Sequence, residues 1–487
     1  MLTMKTLLGA GWLVFSRFFG RAIDFVALLI FARLLTPSDF GLIALALSLV
    51  AIVDVLLEVP VVQALMRLES VDRGHLDTCF TLSLMRSGVL ALVLLICAWP
   101  FAAFNGEPSI APVICVLALS PVVRGFSSPA MVFAMRELGF RQTFIMEAIS
   151  KVVGFGAAMA TLMLGGGHWA LVANSIAVSV AAVAASYVLA PYRPRFSLAG
   201  LHHFARFFGW FSSAQLVSTL TWQFDRLLIG AVKGKASLGP FIVANDMAAL
   251  PTQSLIGPAQ QPVMAAFARI KNDPDRVRFA FLKAGRFAMF LAVPVSLGIA
   301  LTADLIVALM LGPKWTEAAP LLQLMALVMM PIPYFQTLYS LSLATDRPHI
   351  IFQTNLCDLV LRVALVSAGF YGFDVIGVCY GRVLASGLMF VVNLIQVRSL
   401  VGIGLPAQLS NLWKVAGAAA LMTVGVVLLR MQLEPLALPA IIELGLVAAA
   451  GAGLYAATVL GLGMQLIIGG GRLELADRWL RFSASRP

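Results

Sequence analysis

Charge is what this chain has least of. Asp, Glu, Lys and Arg make up 12% of its 487 residues and hydrophobic residues 60%, against about 25% and 45–50% in soluble domains. Long polar stretches are missing too. No segment between apolar runs exceeds about 30 residues, whereas an independent soluble domain needs at least about 50. Any chemistry therefore takes place in or beside a bilayer.

Cysteine and histidine are sparse. Cys79, Cys97, Cys115, Cys357 and Cys379 all fall inside apolar runs, where a small polarizable side chain packs well, so neither a disulfide nor a thiolate metal site is expected. His75, His168, His202, His203 and His349 lack ligand spacing, which argues against zinc. Gly154 and Gly156 form a lone GxG with no strand before it and no lysine-bearing phosphate loop after it. Close helix packing is the expected role, and no cofactor is implied. The net charge of +11 comes from basic residues scattered singly, not gathered on one face, so they read as topology signals and not as a nucleic-acid surface.

What is present is a series of apolar windows long enough to cross a hydrocarbon core. They fall near residues 10–33, 40–64, 78–103, 110–134, 143–164, 168–190, 207–231, 238–266, 286–311, 318–344, 349–371, 375–397, 412–431 and 437–467. The sequence thus predicts an all-α polytopic membrane protein of about fourteen helices. The first window holds Arg17, Arg21 and Asp24 and no small-residue cleavage site, so it reads as a transmembrane helix and not a removable signal. With the N-terminus inside, the alternate connections divide Lys and Arg roughly twenty to five, which puts both termini in the cytoplasm.

Two halves align with an offset near 200 residues. Leu35–Ala46 (LTPSDFGLIALA) matches Lys235–Ala244 (KASLGPFIVA), and Gly41 and Gly239 are each followed five residues later by alanine. A charged pair recurs in the fifth helix of each half, Glu147 with Lys151 and Asp358 with Arg362. Repeated lobes are a transporter signature, with the substrate path between them. The expected organisation is an N-lobe over 1–195, a C-lobe over 196–405, two further helices over 406–470 and an amphipathic cytoplasmic tail over 471–487. That tail alternates Leu473, Leu475, Trp479 and Leu480 with charged residues, and a short helix on the membrane surface is the expectation.

Phe224–Gly230 (FDRLLIG), Leu250–Pro251 and above all Gly312–Gln323 (GPKWTEAAPLLQ), together with Leu35–Leu42, carry a family resemblance. The chain resembles the polysaccharide exporter or O-unit flippase branch of the multidrug, oligosaccharidyl-lipid and polysaccharide exporter superfamily, close to the colanic acid exporter type. The similarity runs from about residue 9 to 400. One departure is Pro240 and Phe241, where a tyrosine commonly follows the glycine. The resemblance implies a V-shaped pair of lobes that alternates between inward and outward openings, and a transporter, not an enzyme. The implied cargo is a polyprenyl-diphosphate-linked glycan moved from the cytoplasmic to the periplasmic leaflet of a bacterial inner membrane. Polysaccharide polymerase or assembly proteins are candidate partners.

An ionisable group at mid-bilayer costs at least about 2.5–3.5 kcal/mol on insertion scales, which makes each a functional candidate. Arg17, Arg21 and Asp24 share one helix face; if Arg21 and Asp24 satisfy each other, Arg17 is left for a diphosphate. Arg124 and Arg382 have no acid three or four residues away and are further cargo candidates. Glu147–Lys151 and Asp358–Arg362 have the spacing of structural ion pairs. Asp54 and Glu58 on one face with no basic neighbour, Asp225 and Asp246 are the carboxylates that proton or sodium coupling would use, and membrane potential acting on an anionic cargo is the other energy source. A cation-coupled multidrug antiporter would prefer an acidic cavity, and a membrane glycan polymerase or ligase a large outer loop. The sequence offers neither.

Overall fold

The computed structural model describes residues 19–58, 65, 71–136, 140–198, 210–255, 260–436, 438–469 and 472–477. Helical residues 19–34 form α1. Then come α2 (Pro37–Leu56), α3 (Arg73–Phe104), α4 (Ile110–Leu117), α5 (Leu119–Gly125), α6 (Met131–Arg136), α7 (Phe140–Met163), α8 (Trp169–Leu189) and α9 (Trp210–Leu255). The series continues with α10 (Gln260–Ile270), α11 (Pro274–Leu301), α12 (Ala303–Met310), α13 (Ala318–Met329), α14 (Ile332–Ala344), α15 (Pro348–Val401), α16 (Leu405–Leu433) and α17 (Ala440–Gly461).

Helix starts are set by local chemistry. Thr36 and Asp39 form a capping box with Pro37 in the first turn of α2, and Asp72 caps α3 through the His75 amide at 2.8 Å. That amide is the main reason the Asp72 carboxyl titrates below its usual range. Gly312, at φ 91°, lets the chain turn into a 3-10 turn that buries Trp315 completely. This is the structural content of the GPKW segment.

By length and composition, ten of the described helices can cross a membrane, and the chain is a multi-pass membrane protein. Two of the ten run through backbone breaks, at Gly234 and at Phe373–Asp374. The second break turns α15 into a hairpin: a Cβ on Gly369 would overlap the Gly377 carbonyl, and one on Gly377 the Gly369 carbonyl. It falls in the gap left between the expected windows 349–371 and 375–397. Other windows are shorter or interrupted. Helix two stops at Leu56, so Glu58 lies beyond its end. Window 110–134 breaks into α4, α5 and α6, and window 318–344 into α13 and α14 at Met330–Pro331. Each of the two broken helices holds two expected windows, the first window is described only from residue 19 and window 110–134 falls short of a span, so ten apolar helices among the described residues do not confirm the number fourteen.

Contacts group the chain into Met1–Val243 and Ala244–Pro487. In the first unit α3 packs on α4 and α5, α5 on α8, and α7 on α8. Gly154 of α7 lies against Asn174 and Val178 of α8, but Gly156 has nothing beside it, so only one glycine of the GxG serves close packing. The two repeat segments meet reciprocally here. A Cβ on Gly41 would overlap the carbonyl of Lys235, and one on Gly239 the carbonyl of Pro37.

In the second unit α11 packs on α13, α14 and α16, and α16 on α17. Its core holds Phe281 edge-on to Tyr334 at 5.6 Å. The Tyr334 hydroxyl donates to Gln408 Oε1 at 2.6 Å, while Gln408 Nε2 donates to the carbonyls of Leu394 and Ile403. Every polar group of the buried amide is thereby engaged, as a water-free interior demands.

The tail departs from expectation. Met464–Gly469 (β1) and Arg472–Asp477 (β2) pair antiparallel, with Leu466 opposite Leu475. Arg472-Leu473-Glu474-Leu475 alternates with a period of two, the periodicity of a strand and not of a surface helix. Residues 478–487 lie outside the described set.

Candidate functional site

A cavity of about 330 Å³ opens inside the first unit among α2, α3, α5 and α8. Arg124 of α5 reaches it, exposed, and its Nε donates to Ser179 Oγ of α8 at 3.1 Å. Serines fix the wall. Ser120 and Ser179 hydroxyls lie 2.6 Å apart, and Ser128 is tied to Ser186 and to the Ala190 carbonyl. Such small polar residues let helices approach closely and hydrogen-bond within a membrane. Gly125 packs against Ser87 for the same reason.

Asp54 lines the cavity and does have a basic neighbour. Arg86 of α3 donates to Asp54 Oδ1 at 2.6 Å, to the Asp54 carbonyl at 2.6 Å and to the Leu57 carbonyl at 2.7 Å. It thereby closes the C-terminal turn of α2, whose last carbonyls have no partner within the helix. Glu58 sits in the field of both groups. The expectation of an unattended carboxylate pair is corrected, because the base comes from the next helix in space. Arg86 was open to discovery by the test applied to Arg124, an arginine inside an apolar window with no acid three or four residues away.

The other candidates are dispersed. Arg17 lies outside the described residues. Arg21 is exposed on α1 and does not pair with Asp24, which instead binds Lys151 of α7 at 2.7 Å, with the Gly20 carbonyl 2.9 Å from the same ammonium. Lys151 is thus taken from its expected partner Glu147, which is exposed on α7. Asp358 and Arg362 do pair along α15, at 3.3 Å. Arg382 is 3% exposed and donates to Asn245 Oδ1 at 2.8 Å, which sets it apart from the accessible Arg124. Asp225 is buried in α9, and Asp246 accepts from the Asn245 amide at 3.2 Å. Among the described residues no cluster of His, Cys, Asp and Glu could hold a metal ion.

Outside the spans, Glu107 in the α3–α4 connection meets Lys235 at 3.0 Å. Burial works against the Glu107 charge, but hydrogen bonds from Lys235 and Ser109 outweigh it and lower its pKa. In the second unit Arg430 bridges Asp304 at 2.6 Å and Glu443 at 3.6 Å, tying α16 to α12 and α17.

Multiple apolar spans, interhelical serine ties and a cavity with an accessible guanidinium define a polytopic membrane protein with polar groups held among its helices. The family model described as "Polysaccharide biosynthesis protein" matches residues 30–320, and the chain belongs to that family. It is 25% identical over 319 residues to the succinoglycan biosynthesis transport protein ExoT of Rhizobium meliloti, with 65% of each chain covered. It is 23% identical over 418 residues to the lipopolysaccharide biosynthesis protein WzxC of Escherichia coli, covering 84% of each. Among solved structures, the lipid II flippase MurJ in an inward closed conformation has the same fold, with a TM-score of 0.72 at 13% identity over 92% of this chain and 97% of that one.

Proposed function

We propose that this protein is a flippase that carries a polyprenyl-diphosphate-linked oligosaccharide across a bacterial inner membrane, from the cytoplasmic to the periplasmic leaflet, by alternating access between two lobes. Membership of the polysaccharide biosynthesis family carries the reading. ExoT and WzxC are named for transport and lipopolysaccharide biosynthesis, which supports it. The chemistry agrees. Arg86 and Arg124 outnumber Asp54 among the described residues lining the cavity, a balance that suits an anionic cargo better than a cationic drug. Lobe limits near 195 and 405 and cytoplasmic termini belong to the same proposal, as do polymerase or assembly partners.

The experiment is deletion of the gene with analysis of lipid-linked intermediates. The expected result is loss of surface polysaccharide, with diphosphate-linked glycan retained on the inner leaflet. Normal export together with new sensitivity to cationic drugs would assign the antiporter role instead.

A further inference from the structure

We infer that the cavity among α2, α3, α5 and α8 is a small-oxyanion subsite, in which Arg124 receives a phosphate or carboxylate group and Arg86, still tied to the Asp54 and Leu57 carbonyls, gives up its Asp54 carboxylate contact to complete the cradle. The inference rests on the transport reading only for where the anion comes from.

Three observations carry it. First, the bond from Arg124 to Ser179 uses Nε alone, so it leaves aside the two terminal nitrogens. A forked pair of guanidinium donors is what recognises phosphate and carboxylate. Arg124 is exposed to the cavity even though it stands inside an apolar segment, where a charge kept for packing alone is expensive. Secondly, the lining suits an oxyanion. Ser83 and Ser175 bring hydroxyls, Ser120 already donating its own to Ser179, and the one acid among the described lining residues, Asp54, is held by Arg86. Thirdly, about 330 Å³ is at the low end of small-molecule sites, about 300–1,000 Å³. A phosphate, a diphosphate or one acidic sugar fits; an oligosaccharide does not, so the bulk of any glycan lies elsewhere.

The Asp54 carboxylate and an entering anion are competitors. Both want the terminal nitrogens of Arg86, and they repel each other. Asp54 is the more replaceable partner because its side chain is 46% exposed, whereas that of Arg86 is 24% exposed. The carbonyls of Asp54 and Leu57 keep Arg86 in place while its carboxylate contact changes. Occupation of the subsite therefore loosens the ion pair at the end of α2, and removal of the Asp54 charge favours occupation.

The test uses the full chain in lipid nanodiscs, with inorganic pyrophosphate, galacturonate and neutral galactose as probes in equilibrium dialysis. At least one anion is expected to bind saturably and galactose not at all. Arg124→Gln should weaken binding at least tenfold with an unchanged melting temperature. Asp54→Asn should tighten it about threefold to tenfold by removing the competitor. Arg124→Lys keeps the charge without the fork and should fall between, which preserves the test if the glutamine variant folds poorly. Tighter pyrophosphate binding points to the lipid headgroup as the source, and tighter galacturonate binding to an acidic sugar. Full binding by Arg124→Gln, weaker binding by Asp54→Asn, or binding of neither anion overturns the subsite. A protein that binds neither yet translocates lipid-linked glycan in vesicles loses the subsite and keeps the function.

Discussion

Single residues act here through partners on other helices, and Glu107 gives a measurable case. Its carboxyl is paired with Lys235 and titrates below the ordinary value of about 4.3. With the folded pKa depressed, the unfolded chain takes up the proton first as pH falls. The stabilisation is then complete above the unfolded value and lost as pH drops through the folded one. Thermal midpoints of the wild type and Glu107→Gln should therefore differ by a constant amount from pH 7 to about 5, and draw together as the pH falls from the unfolded value through the folded one. A gap that does not narrow at all below about pH 4 would mean the glutamine disturbs packing and not charge. Arg124, Asp54 and Asp358–Arg362 were legible in the sequence because an ionisable group in an apolar window or at four-residue spacing announces itself. The partners of Asp24, Asp54 and Lys151 were not. The spacing rule sees along one helix only, while Lys151 and Arg86 reach their acids across 127 and 32 residues of chain.

Elements were legible in their apolar stretches and less so at their ends. Hydropathy marks the part of a helix that meets hydrocarbon, so α3 and α11 extend on the polar side to Arg73 and Pro274, where caps take over. Hydropathy is equally blind to breaks such as those between α4, α5 and α6, which leave composition unchanged. The repeat glycines were visible as a pair, but the contact of each with the other's segment was not, because nothing in an offset of about 200 residues says that the copies touch. That contact is testable. Gly41→Ala and Gly239→Ala each drive a methyl into a backbone carbonyl that cannot rotate away, and overpacking of this kind costs about 1–3 kcal/mol. Gly156→Ala is the control, since that exposed helical glycine has nothing within 4 Å. Alanine there should be neutral or stabilise by up to about 1 kcal/mol through helix propensity. Melting of the three variants in one detergent should lower the first two and spare the third. Equal midpoints for all three would show that α2 and α9 separate easily at this crossing.

At the scale of the whole molecule the question is what drives the cargo. A diphosphate-linked glycan carries about two negative charges, and an inside-negative potential favours its outward movement by about 2.3 kcal/mol per charge per 100 mV. The described carboxylates offer the competing route of ion coupling, but two of them are committed. Asp54 is bound to Arg86 and Asp24 to Lys151, while Asp225 and Asp246 belong to a different helix, α9. Uniport driven by potential asks nothing further of the protein than a compensated path for the anion, which the accessible Arg124 begins to provide. Vesicles holding the protein and a lipid-linked oligosaccharide, with a potassium diffusion potential imposed, separate the two routes. Translocation should rise steeply with inside-negative potential, disappear when the potential is clamped at zero, and be unaffected by a proton or sodium gradient under that clamp. If instead an ion gradient alone sustains full transport at zero potential, and Asp225→Asn or Asp246→Asn abolishes that dependence, the energy source lies in α9 and the charge of the cargo is incidental to it.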